Sequence, residues 1–191
     1  MTEHTPDPAD TLALEVRDQS IAGRLFVAAD AFLFLAFLFA YLYLRALDNN
    51  HMWNPQGQNP SGTMGIVVLV LVVVTAALVH VAAGRLASSG PAAFRAPAVA
   101  ALGVGAVATV LAATQIFRPG FSPSHAGGIG SVFIGFIAVY TVHLFGGLYW
   151  LETQAVQRQG ERLRASVPPC LLYWWFLAVV LAIFSVLFYL A

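Results

Sequence analysis

Residues 66–79 read IVVLVLVVVTAALV, fourteen apolar or small side chains with one threonine among them. Most are β-branched, a composition that in water favours a strand. The stretch nevertheless lies in an apolar run from about Met64 to Gly84 with no turn signal. Such a run is too long for a buried strand and long enough to cross a bilayer as helix at about 1.5 Å per residue. In lipid the backbone must satisfy its own hydrogen bonds, and a helix does so within one segment. Length therefore overrides composition, and the run reads as a membrane helix.

Four more runs follow the same logic: about Ile21–Leu44, Pro97–Phe117, Ser131–Leu151 and Leu171–Leu190. Their lengths and lack of strict alternation exclude a membrane β-barrel. Composition agrees, with 59% hydrophobic and 9% charged residues and a mean hydropathy of +0.78, against about 25% charge in a soluble domain. The expected fold is an all-α, single-domain bundle of five transmembrane helices over residues 21–191, preceded by a polar tail over residues 1–20. That tail, MTEHTPDPADTLALEVRDQS, has no basic start and precedes an apolar stretch too long for a signal peptide. We expect it to be mobile or held by a partner.

The chain has no lysine, so arginines set the orientation. Five spans place Arg17, Arg24, Arg85, Arg95, Arg158, Arg162 and Arg164 on one side and Arg45 and Arg118 on the other. Seven against two predicts a cytoplasmic N-terminus and an external C-terminus. Tyr41, Tyr43, Trp150, Trp174, Trp175 and Tyr189, near span ends, suit interfacial belts. The zero net charge and the lack of a basic stripe give no sign of nucleic-acid binding. The single cysteine, Cys170, excludes an internal disulfide and a multi-cysteine metal site, and reads as an inert thiol.

Polar residues inside the spans carry the functional information, because an aspartate at a helix centre costs about 2.5–3.5 kcal/mol on insertion scales. Asp30 is the one carboxylate deep in a span. It lies six residues past Arg24, roughly 9 Å along the helix. His80 lies five residues before Arg85, roughly 7–8 Å, and His143 nine before Glu152, roughly 13 Å. With alternating span directions, all three fall in the cytoplasmic half, where an Asp–His pair would share a hydrogen bond or a proton. Gln115 suits an interhelical hydrogen bond. Gly146 and Gly147 suit close helix packing, as small residues do in membranes.

The runs LFVAADAFLFLAFLFAYLYLR (25–45), MWNP (52–55), FIAVYTVHLFGGLYWL (136–151) and YWWFLAVVLAIFSVLFYL (173–190) resemble, in order and spacing, subunit III of haem–copper oxidases. Asp30 falls where that family carries a carboxylate. His143 and Gly147 match the second histidine and the glycine of its T-G-F-H-G-x-H-V-x-x-G signature, with Tyr140 in place of the first histidine. Tyr173, Trp174, Phe176, Val179 and Val180 match its last-span opening, while Trp175 and Ala178 replace a histidine and an aspartate. Gln115 falls near a glutamine the family often carries. The resemblance spans about Leu25–Leu190 and fits the family's short, five-span form.

The resemblance implies a non-redox subunit of a cytochrome c or quinol oxidase in a bacterial cytoplasmic membrane. Haem and copper would sit in partner subunits I and II, with no metal held by this chain. The chain would pack on subunit I, bind phospholipid, and support proton uptake and stability during oxygen reduction in the respiratory chain. Asp30, His80, Gln115, Tyr140 and His143 are then candidates for a polar network, and Gly146 and Gly147 for packing. A nitric-oxide-reductase accessory protein of the same family is one alternative. A membrane b-type cytochrome with His80 and His143 as haem ligands is a second. A small transporter, which would show internal repeats or broken helices, is a third: no repeat is present, and Pro97 and Pro168–Pro169 read as span starts.

Overall fold

The computed structural model describes residues 8–48, 51–55, 59–158 and 160–189. Among these it is all-helical, with no strand. Helix α1 spans Pro8–Ala46, α2 Gly62–Ser89, α3 Pro91–Phe117, α4 Gly127–Val156 and α5 Gly160–Tyr189, with one 3-10 turn at Pro123–His125. All five α-helices are long and apolar enough to cross a membrane, the mark of an integral membrane protein.

The valine-rich stretch is helical, and its burial has a helical period. Gly65, Val68, Val72, Thr75, Ala76, Val79, Ala82 and Leu86 face inward, while Ile66, Val67, Val70, Val73, Val74 and Val81 face outward. Helix α2 packs on α3 and α5, α3 on α4, and α4 on α5, so these four close a ring. Helix α1 lies outside it, in the groove between α4 and α5. Aromatic side chains fill the interior. Phe136 stacks on Phe184 with centroids 4.0 Å apart, and Phe188 closes on both. Trp174 is fully buried.

Helix ends differ from the sequence reading, for identifiable reasons. Helix α1 starts at Pro8 rather than near Ile21, so the described part of the polar segment continues the first span; residues 1–7 lie outside the described residues. Its 39 residues reach about 58 Å, well beyond a hydrocarbon core of about 30 Å. Helices α2 and α3 run on past their apolar stretches until only Gly90 separates them. Gly90 takes φ +84°, a left-handed conformation that favours glycine, donates its N–H to Leu86, and is followed by Pro91 at the first helical position. Polarity marks where a helix leaves lipid, not where it stops.

The prolines read as span starts are inside helices. Pro97 lies in α3, and Pro168 and Pro169 lie within α5. Proline removes one donor and crowds the carbonyl four residues earlier. In α5 the carbonyls that lose a donor are those of Arg164 and Ala165, and one residue on, the Ser166 carbonyl accepts from Gln154 Nε2 of α4 at 2.9 Å. Leu190, the expected end of the fifth span, lies outside the described residues.

The MWNP segment caps α4. The N–H groups of Gly128 and Ile129 donate to the carbonyls of Met52 and Trp53, both at 3.0 Å, meeting donors that a helix start leaves open. Gly127, at φ +64°, makes this possible, because a Cβ there would run into the Met52 carbonyl.

Candidate functional site

Asp30 and His143 meet in the groove between α1 and α4. His143 Nε2 lies 3.5 Å from Asp30 Oδ1, with the two side chains 14% and 10% exposed. The other ring nitrogen, Nδ1, lies 2.7 Å from the carbonyl oxygen of Val139, one turn earlier on the same helix. A carbonyl only accepts, so Nδ1 carries a hydrogen. A neutral imidazole then has a bare Nε2, which faces a carboxyl oxygen. Two lone pairs repel, so a proton belongs between them, either on the ring as imidazolium or on the acid as carboxyl. A proton between them makes the pair neutral as a unit, which would lower the cost of burying either group.

The surrounding residues fix the imidazole. Phe34, one turn beyond Asp30 on α1, stands edge-on to it with centroids 5.1 Å apart. Tyr173 of α5 donates its hydroxyl to the His143 backbone carbonyl at 3.0 Å. Asp30 Oδ2 is buried and unpartnered. The site can therefore store, accept and release a proton. Asp30 and His143 alone give two ligand groups, and no group of three or more metal-ligating side chains forms among the described residues.

Of the other polar candidates, none joins the pair. Tyr140 is fully buried and packs beside Phe34, but its hydroxyl donates to the Leu177 carbonyl at 2.9 Å and ties α4 to α5. Gln115 accepts from the Tyr189 hydroxyl at 3.4 Å, and the Tyr189 ring lies over Gly65, so this contact gathers α2, α3 and α5. His80 is exposed on α2, which packs on α3 and α5, away from the α1–α4 groove. In this arrangement His143 offers neither ring nitrogen to an iron.

The two glycines part company. A Cβ on Gly147 would press on Tyr173 and Trp174 at 3.1 and 3.2 Å, as a packing role requires. Gly146, expected to share that role, corrects the reading: it faces outward, and a Cβ there would meet nothing within 4 Å.

Gln154 went unread in the sequence. It is 3% exposed, braces the proline turn of α5, and lies beside the Cys170 thiol. A glutamine near a span end looks interfacial in sequence, and no local pattern marks its bond to the neighbouring helix. Gln154 also lines a cleft of about 640 Å³ between one end of α1, α4 and α5, with Gln19, Gly23, Phe26, Trp150 and Arg162 among its walls.

Compared with known proteins, the chain matches no family model and no curated sequence.

Proposed function

We propose that this chain is a non-redox subunit of the subunit III type in a haem–copper respiratory oxidase. It would pack on the catalytic subunit, stabilise it together with bound phospholipid, and support proton uptake. The N-terminus would face the cytoplasm and the C-terminus the outside of a bacterial cytoplasmic membrane, as the arginine distribution favours.

The observation that carries this reading is the Asp30–His143 contact. The two polar positions that the resemblance singles out lie on different spans, far apart in sequence, and they touch. The replacements support a structural rather than a redox role. Tyr140, in place of a histidine, makes a bond between α4 and α5, and Ala178, in place of an aspartate, is packed in the core.

The test is purification of the tagged chain from its native membrane in mild detergent, with absorption spectra of the complex and of the separated chain. A complex with haem bands and a large multi-span partner, and a colourless separated chain, is the expected result. A haem band on the separated chain that vanishes in His143→Ala would make it a cytochrome and end the proposal.

A further inference from the structure

The cleft and the buried pair lie on one continuous strip. On α1, Gln19, Gly23, Phe26 and Asp30 follow at spacings of three or four, one face of a helix. The first three line the cleft. On α4, Trp150 lines the cleft and stands seven residues, about two turns, beyond His143. Between them on α4, Gly147 is turned onto Tyr173 and Trp174, and on the outer edge of that face stands Gly146. No side chain stands there, and nothing lies within 4 Å of where one would be. On α1, Phe26 stands between Gly23 and Asp30, and its ring lies against Trp150 and Tyr173 with centroids 6.4 and 5.6 Å away.

At the far end of the strip the pair has two marks of a proton-exchanging group. Nε2 and Oδ1 face each other at 3.5 Å, and each is an atom that can receive or release a proton. Asp30 Oδ2 is buried with no protein partner, on a residue only 7% exposed, and a buried acceptor in that state calls for a donor from outside. Tyr173 of α5 also faces the carboxylate, but its hydroxyl proton is committed to the His143 carbonyl. The opposite approach, past Phe34, is closed by Phe136, Tyr140 and Phe176 packed around that ring.

We infer that Asp30–His143 is a proton-exchange site connected to water in the α1/α4/α5 cleft, along the bare turn at Gly146 and past Phe26. A proton delivered from cleft water adds to the carboxylate or the imidazole, and the proton it replaces leaves by the same path. Only O–H and N–H bonds form and break. Gly146 keeps the path open, and Phe26 is its gate. The inference deepens the proton-supply part of the function proposed above, but needs no partner subunit.

The test uses the full chain, labelled with ¹⁵N-histidine, in lipid nanodiscs. The His143 ring signal is identified by its loss in His143→Gln, and its proton exchange with water is measured by NMR. Gly146→Leu, which has room for its side chain, should slow exchange about tenfold, and Phe26→Ala should speed it by a similar factor. Val70→Ala, on the outward face of α2 and away from the site, should leave the rate unchanged. Rates in Gly146→Leu and Phe26→Ala both within about twofold of the unmodified chain, or an equal change in Val70→Ala, would overturn the route. Far-UV circular dichroism and the thermal melt of each variant in the same nanodiscs report that it is folded. Because the chain is studied alone, a failed route leaves the oxidase-subunit reading standing, and a missing haem partner in the native membrane leaves the route standing.

Discussion

At the scale of single residues, His143 is committed at both ring nitrogens, and that decides what substitutions at Asp30 should do. Asparagine is nearly isosteric with aspartate and brings an amide donor to the bare Nε2. Asp30→Asn should therefore stay within about 1 kcal/mol of the parent stability while removing the ionisable carboxyl group. Asp30→Ala leaves Nε2 without a partner and should cost about 1–2 kcal/mol. Reversible unfolding in mixed detergent micelles measures both; equal losses would mean the contact contributes no hydrogen bond. Tyr140→Phe is the companion case. It removes a buried bond to Leu177, so it should lower stability by about 1 kcal/mol and leave proton exchange at His143 untouched. A changed exchange rate would place Tyr140 in the proton site after all.

At the scale of elements, adjacent glycines with opposite roles show what sequence can and cannot say. Gly146 and Gly147 look alike in a list, and both suit close packing. Only the rotation of α4 separates them, turning Gly147 onto Trp174 and Gly146 outward. That rotation depends on which neighbours α4 has, which its own sequence does not state. Gly65 is the mirror case: an unremarkable glycine at the start of α2 that lies under the Tyr189 ring. Gly65→Val must push that ring aside and break its contact with Gln115. A cost of about 1–3 kcal/mol is expected, as for other overpacked sites. Gly146→Val should be neutral or stabilising, since it relieves the glycine penalty of up to about 1 kcal/mol in a helix and meets no neighbour. Thermal melts of the two variants in one detergent should separate in that order, and a lower melting temperature for Gly146→Val than for Gly65→Val would refute the assignment of faces. The number and type of helices were legible because lipid leaves the backbone one local solution, whatever the β-branched side chains at positions 66–79 favour in water. The Asp30–His143 pairing was half legible: cost of burial picks out both residues, and matching depth makes a contact possible. What remained hidden needed three-dimensional neighbours, such as the donor that Gln154 supplies to the proline turn of α5 or the groove that receives α1.

For the whole molecule, the remaining question is which water the cleft meets. Gln19 lies on the polar part of α1, and Gln157 and Arg162 flank the α4–α5 connection, so the cleft opens at the end that carries most of the arginines. Under the proposed orientation that end is cytoplasmic, and the exchange site draws its protons from that side. The native Cys170 is buried, which makes a labelling test clean. In intact cells a membrane-impermeant maleimide should modify Ser122→Cys, before α4, and should reach Ser88→Cys, at the exposed end of α2, only after lysis. The reverse pattern would turn the molecule over. The cleft would then open outward, and Asp30–His143 could not support cytoplasmic proton uptake even if it exchanged freely with the cleft.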